Sequence, residues 1–323
     1  MRAILAPTPT TPMAYLFGDG DMARSIAPLL QGLLIVSLLV VAIVSILVIV
    51  GVLRRRSTVV LVDTPIADRP AVVWIGVGVG LSTVVLVGFI VWSTVTMARI
   101  ARPPQAAAFT IAITAHRWWW EATYRAGETS QEFSTANEIH IPIGKPVRFT
   151  LASADLIHSF WVPALGGKTD VIPGQTNVTW LKADHAGSYR GQCSEYCGAQ
   201  HAHMAFTIVA DPPAAFESWR AAQAKPAAIA QDKGALDGEA VFQQRCSKCH
   251  AIRGSRADGD HGPDLTHVMS RARLAAGAIP NNAGWLSAWI ADPQHIKPGS
   301  LMPKLPLSGR ELADVRDYLL TLK

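Results

Sequence analysis

Cys193, Glu195, Cys197, His201 and Met204 lie within one twelve-residue stretch, Cys193-Ser-Glu-Tyr-Cys-Gly-Ala-Gln-His-Ala-His-Met204. Thiolate, imidazole and thioether make a soft donor set, and soft sets select copper over hard cations. A mononuclear electron-transfer copper takes one Cys, two His and a weak axial Met. With two Cys, the thiolates can bridge two metals, each then keeping one His and one weak ligand. Only one His in the stretch is well placed. The best second candidate is His158, in Asp155-Leu-Ile-His158-Ser-Phe-Trp161-Val-Pro163. Three other chemistries suit the Cys pair: a disulfide in an oxidising compartment, a structural zinc of two Cys and two His, and copper delivery by Cys-x-x-x-Cys with a distant His. His185 and His203 are expected to be surface or hydrogen-bonded residues, a common role for His.

A second pair, Cys246-Ser-Lys-Cys249-His250, has the Cys-x-x-Cys-His spacing of covalent haem attachment. The thiols would form thioethers to the porphyrin and His250 would bind the iron. A thioredoxin-type redox pair is the rival, but it gives His250 no task. The chain has 4 Cys in all, so both pairs are local and neither suggests a disulfide framework.

These sites must be held by more than one domain, since 323 residues exceed a typical single unit. Residues 32–53 and 71–98 are uncharged and each is long enough to cross a hydrocarbon core of about 20 helical residues. Gly76, Gly78, Gly80 and Gly88 in the second run are expected to let a neighbouring helix approach closely. Between the runs, Arg54, Arg55, Arg56 and Arg69 outweigh Asp63 and Asp68, which puts this loop in the cytoplasm. A haem-attachment motif and a thiolate copper site belong on the outer face, and two spans put both termini there. Before the first run, residues 1–31 form an outer segment, of which Asp21 to Gln31 is expected to be a helix along the membrane surface. Residues 103–211 carry short alternating runs such as Phe109-Thr-Ile-Ala-Ile-Thr and Val147-Arg-Phe-Thr-Leu, punctuated by Gly and Pro, as in a small β-sandwich or barrel. Residues 212–231 are rich in Ala, Pro, Gln and Lys and predict a linker. Residues 232–323 predict a helical unit around the haem motif. The net charge of +5 comes without a basic cluster of the nucleic-acid type.

His158, the following Lys168-Thr-Asp-Val-Ile-Pro-Gly174 and the Cys/Glu/Cys/His/Met loop together resemble the dinuclear copper (CuA) domain of cytochrome c oxidase subunit II. The resemblance implies a cupredoxin-like fold. It implies coppers bridged by Cys193 and Cys197, with His158 and His201 as terminal ligands and Met204 and the Glu195 carbonyl as weak ones. It also implies a Mg²⁺ on the Glu195 side chain at the contact with the catalytic subunit, a hard ion suited to carboxylate oxygen. In His116-Arg-Trp118-Trp119-Trp120-Glu121, three adjacent Trp cannot all face one core, and the resemblance makes Trp118 the residue that takes in electrons. Family members often carry a Glu three residues before a Trp opening the second span; here that position is Ala71, which puts a proton-uptake role in doubt. Residues 232–323 resemble a class I cytochrome c, with Gly234 to Gln244 as first helix, Gly262-Pro-Asp-Leu265 as a loop, Leu312 to Leu322 as last helix, and Met302 as distal iron ligand in Lys297-Pro-Gly-Ser-Leu-Met302-Pro303. Met269 is the competitor.

The resemblance as a whole is to the copper subunit of a bacterial haem–copper oxidase with a fused cytochrome c, as in caa-type enzymes. It implies a multidomain chain in the bacterial plasma membrane. An external donor, cytochrome c or a quinol–cytochrome c reductase, would reduce haem c, and electrons would pass through the dinuclear copper to haem in subunit I, beside subunit III. Oxygen would be reduced in that other subunit, in a proton-translocating complex. A membrane-tethered copper-delivery protein with an appended cytochrome is the alternative. A copper-free quinol oxidase subunit would leave the ligand set without use, and a nitrous oxide reductase would need a second large domain. Residues 103–211 carry a net charge of −2 and residues 232–323 a net charge of +2, so the tethered haem unit is expected to dock weakly near Trp118, helped by its high effective concentration.

Overall fold

Alternation of apolar and polar side chains creates the first sheet of the outer unit. Along β1 (Thr110–His116) and β2 (Trp119–Tyr124), every second residue is buried, the period by which a strand presents one face to a core. The computed structural model describes residues 18–54, 69–125 and 132–323. The sandwich continues with β3 (Phe133–Ala136), β4 (Glu138–Pro142), β5 (Val147–Ser153), β6 (His158–Trp161), β7 (Thr169–Val171), β8 (Asn177–Leu181), β9 (Gly187–Cys193) and β10 (Ala205–Asp211). One sheet has the order β3-β2-β1-β5-β8 and the other β4-β10-β9-β6-β7. Most neighbours are antiparallel, but β1 runs parallel to β5 and β10 to β4.

Asn137 carries the chain from one sheet to the other. It adopts a left-handed φ of 62°, which Asn tolerates better than most residues. Its side-chain oxygen accepts from the Trp120 amide at 2.8 Å, and its carbonyl accepts from the Thr207 amide of the opposite sheet at 2.8 Å. An aromatic cluster then fills the space between the sheets. Phe160 stacks on Phe206 with centroids 4.5 Å apart and meets Trp120 edge-on at 5.7 Å. Phe160→Ala is expected to cost about 3–5 kcal/mol through the cavity left behind. A fall of about 10 °C or more in the melting midpoint of this domain, followed by near-UV circular dichroism, checks it.

Residues 213–223 correct the linker expectation. They form helix α3 (Pro213–Gln223), which buries Phe216 against the sandwich. Trp219 stacks on His140 at 4.0 Å and meets Tyr124 edge-on at 5.3 Å. Pro213 at the first helical position and an aromatic pair three residues apart are the signals that the Ala-rich composition obscures.

Beyond it, α4 (Lys233–Arg245), α5 (Ala283–Ala291), α6 (Pro293–Ile296) and α7 (Gly309–Leu320) surround a second core. Phe242 and Tyr318 meet edge-on at 5.8 Å, and Val315 and Leu322 are fully buried. Asp232 caps α4 on the Ala235 amide, and Ser308 with Glu311 forms a reciprocal capping box on α7.

The apolar unit consists of α1 (Asp21–Arg54) and α2 (Arg69–Ile100). Both are long and apolar enough to cross a membrane, and neither apolar window is buried within the chain. Among the described residues, no separate surface helix precedes the first span. The helix runs unbroken from Asp21 through Pro28 to Arg54, a tolerance of proline common in membrane helices. A Cβ added at Gly76, Gly78, Gly80 or Gly88 would meet nothing within 4 Å, so these glycines pack against no described residue of this chain. Arg55, Arg56, Asp63 and Asp68, which set the expected loop orientation, lie outside the described residues, as do residues 1–17 of the N-terminal segment.

Candidate metal centre and haem-attachment site

The end of β9, the start of β6 and the loop before β10 converge beneath one edge of the sandwich. Pairing of Phe160 with Cys193 across β6 and β9 brings His158 beside the Cys loop, although 35 residues separate His158 from Cys193 in sequence. The loop folds back through a 3-10 turn at His201–His203, and the Cys193 amide donates to the Met204 carbonyl at 3.0 Å.

The donor atoms form a compact array. Cys193 Sγ and Cys197 Sγ are 3.7 Å apart, and both are free thiols, far beyond a disulfide bond of about 2.05 Å. His158 Nδ1 faces Cys193 Sγ at 3.9 Å, and His201 Nδ1 faces Cys197 Sγ at 3.6 Å. The Glu195 carbonyl lies 3.3 Å from Cys193 Sγ, and Met204 Sδ lies 3.8 Å from Cys197 Sγ. Each sulfur therefore has one imidazole and one weak donor beside it. His158, both Cys and Met204 are buried.

The thiols share charge unequally. A hydrogen bond from Cys197, helped by His158, holds the Cys193 thiol well down, at about 4. The negative Cys193 and burial in turn push Cys197 strongly up. Two adjacent thiolates cannot both ionise without positive charge between them, and a soft cation supplies it, since metal binding requires deprotonated ligands. By donor chemistry, mutual placement and electrostatics, these residues fit a thiolate-bridged copper pair.

Behind His158, Asp155 Oδ1 accepts from His158 Nε2 at 2.8 Å and from the Leu156 amide at 2.6 Å, and Oδ2 accepts from the Arg117 amide at 2.7 Å. Nδ1 is thus left to face the sulfur. Burial opposes the charged imidazole, but Asp155 and Cys193 outweigh it and raise the His158 pKa. Asp155→Asn is expected to weaken copper affinity roughly 10–100-fold, as measured by competition with a chelator.

The three Trp divide as alternation requires. Trp120 lies in the core, and Trp119 stacks on His116 at 4.2 Å. Trp118 is only 7% exposed. It sits in the turn between β1 and β2, and its Nε1 donates to the Cys197 carbonyl at 2.8 Å. Its ring lies between two glycines. An added Cβ would come within 3.2 Å of it at Gly198 (φ 109°) and within 3.5 Å at Gly299 (φ 82°). Gly299 belongs to the haem-motif domain, so the two outer domains meet at Trp118. The spare histidines are both engaged: His203 Nδ1 donates to Gln200 Oε1 at 2.7 Å, and His185 bonds to Asp19.

In the haem-motif domain, Cys246 and Cys249 follow the end of α4, and the His250 amide donates to the Cys246 carbonyl at 3.0 Å. His250 Nδ1 donates to the Pro263 carbonyl at 2.8 Å, which leaves Nε2 as the ring nitrogen that could act as a ligand. Burial lowers the His250 pKa, favouring the neutral, ligating ring. Met302 is half-buried in irregular chain, and its carbonyl accepts from Gln294 Nε2 at 2.7 Å. Met269 lies in a 3-10 turn packed against the core, with its amide bonded to the Leu322 carbonyl. The residue that sequence reasoning missed is Lys297, only 3% exposed. Buried Lys is too rare to be expected without a visible partner.

Comparison with known proteins gives this geometry a setting. Residues 109–211 match the family model described as cytochrome c oxidase subunit II, periplasmic domain, and residues 235–323 match the one described as cytochrome c. Cytochrome c oxidase subunit 2 of Alkalihalophilus pseudofirmus is 37% identical over 215 residues, covering 66% of this chain and 61% of that protein. The protein of the same name from a Bacillus species is 31% identical over 223 residues, covering 65% of this chain and 61% of its own length. The chain thus spans about three-fifths of these relatives' length. The crystal structure of the periplasmic domain of subunit II of cytochrome oxidase from Bradyrhizobium japonicum shares 35% identity, covering 37% of this chain and 95% of that one, with a TM-score of 0.34. The first matched domain implies a CuA copper site and the second a haem.

Proposed function

We propose, for a membrane protein whose residues 109–211 match the family of cytochrome c oxidase subunit II periplasmic domains and whose residues 235–323 match the cytochromes c, that it is the electron-accepting subunit of a haem–copper oxidase. The observation that carries this reading is the double donor array, in which each of two thiols 3.7 Å apart has its own imidazole and its own weak donor. Cys193 and Cys197 would supply thiolates to the copper pair, His158 and His201 its imidazoles, and Met204 and the Glu195 carbonyl its weak donors. Cys246 and Cys249 would tether a haem, and His250 and Met302 would bind its iron. When bound, the two groups supply one-electron redox chemistry. The chain's own part is to hold the copper site rigid and dry: His158 keeps its orientation through Asp155, and Cys193 and Cys197 are buried beside Trp118. Electrons arrive from an external donor at the haem domain and leave toward a catalytic subunit, where oxygen is reduced.

The Glu195 side chain is proposed as a magnesium ligand at that subunit contact. It lies 3.6 Å from Lys168 Nζ, so Lys168 must release it. Both termini and both redox domains lie on the outer face, and α1 and α2 dock against the catalytic subunit. The test is a metal count with electron paramagnetic resonance on the full chain in detergent. A copper pair with a mixed-valence signal, together with covalent haem, supports the reading. Zinc, or a single ordinary copper, overturns it in favour of a structural or copper-delivery role.

A further inference from the structure

The two outer domains are joined by a buried polar contact that no charge count predicts. Lys297, in the haem domain, enters the copper-domain surface beside Trp118. Its Nζ donates to the Trp118 carbonyl at 2.6 Å, to the His203 carbonyl at 2.9 Å and to the Ala275 carbonyl of its own domain at 3.2 Å. An ammonium has three donors, and here each has a carbonyl. Weaker contacts surround it. Gln200 Nε2 donates to the Pro298 carbonyl at 2.9 Å, the Ala205 amide to the Ala276 carbonyl at 3.1 Å, and the Ala272 amide to Glu138 Oε2 at 2.8 Å. Gly299 lies over the Trp118 ring, and Met302 follows three residues later.

We propose that Lys297 is a positioning residue that pins the haem domain onto the copper domain, holding the loop that carries Met302 against Trp118. This deepens the electron-accepting reading and rests on it for its purpose, though not for its geometry. The charge difference between the domains is too small to orient them. The three carbonyls specify one register, because a displaced domain would leave the ammonium and its acceptors buried without partners. One consequence is that Trp118 is closed to an outside donor and open only to the chain's own haem domain.

The test compares the full chain in detergent with its Lys297→Met variant, which keeps the apolar stem and removes the donors. Amide hydrogen exchange at Ala205 and Ala272 reports docking whether or not the cofactors are loaded. It is expected to accelerate about tenfold or more, the effect of removing one partner of a buried hydrogen-bonded charge. Exchange along β1, β5, α4 and α7 should stay unchanged, as should the haem and copper spectra and potentials. In the loaded protein, after flash reduction of haem, the ferrous iron should lose its electron to the copper pair about tenfold more slowly. That transfer should also become sensitive to viscosity. Unchanged exchange at Ala205 and Ala272 overturns the proposal, and so does acceleration spread through either domain, which would make Lys297 merely structural. A wild-type protein that docks by exchange but passes no electron from haem to copper overturns the electron-accepting reading and leaves the pin standing.

Discussion

Cys197→Ser is expected to abolish the mixed-valence signal and to reduce the copper content per chain by half or more. A serine hydroxyl is nearly isosteric but hard, and it does not ionise to supply a bridging soft donor. The substitution removes a sulfur that faces three partners: Cys193 Sγ at 3.7 Å, His201 Nδ1 at 3.6 Å and Met204 Sδ at 3.8 Å. What remains is Cys193 with His158 and the Glu195 carbonyl, a one-thiolate set suited at most to a single copper. The backbone loses nothing, since the Trp118 indole bonds to the Cys197 carbonyl rather than its side chain. The domain should therefore fold normally, and the loss can be assigned to the metal site. Copper determination with electron paramagnetic resonance is the measurement. An intact pair in the variant would mean that Cys197 is not a bridge. Loss of zinc instead of copper would select the structural reading of the two Cys.

That site was legible because its chemistry is local. Spacing places Cys193, Cys197, His201 and Met204 on one loop, and only His158 had to be brought in from another strand. The β domain was legible too, since β1 and β2 alternate without a break. Other features were hidden because tertiary contacts decide them. In α3, Phe216 and Trp219 sit among residues whose composition suits a linker, and their partners, among them His140 and Tyr124, lie on distant strands. The propensity rule that a proline ends a helix fails at Pro28, inside a helix that continues to Arg54. Most of all, docking was anticipated from opposite net charges and the high effective concentration of a tethered domain. The contact itself is dominated by a lysine buried among backbone carbonyls, and backbone carbonyls leave no mark in a sequence.

The axial assignment in the haem domain yields the other large effect. Met302→Leu is expected to lower the haem reduction potential by on the order of 0.1 V or more, because a thioether opposite His raises it and axial ligands set potentials over a wide range. Met269→Leu is expected to leave the potential unchanged. The two methionines differ in what holds them. Met269 has its amide bonded to the Leu322 carbonyl and its side chain packed against the core, so swinging it toward an iron would dismantle the packing around the last helix. Met302 follows the bend after Gly299, with Gln294 Nε2 clamping its carbonyl at 2.7 Å and the Ser300 carbonyl at 2.8 Å. That arrangement fixes the backbone and leaves the side chain unused by the core. A redox titration of the full chain measures both variants. A fall in the Met269 variant alone would reverse the assignment. At about 59 mV per tenfold change for one electron, a fall of 0.1 V shifts the equilibrium with an external donor roughly fiftyfold against reduction of the haem. Electron arrival in the Met302 variant should therefore slow while the copper site keeps its spectrum, because Met302 is not one of the donors of that site. Slowing with an unchanged copper signal places the fault at the haem, just as loss of the copper signal in Cys197→Ser, with the haem intact, places it at the metal pair.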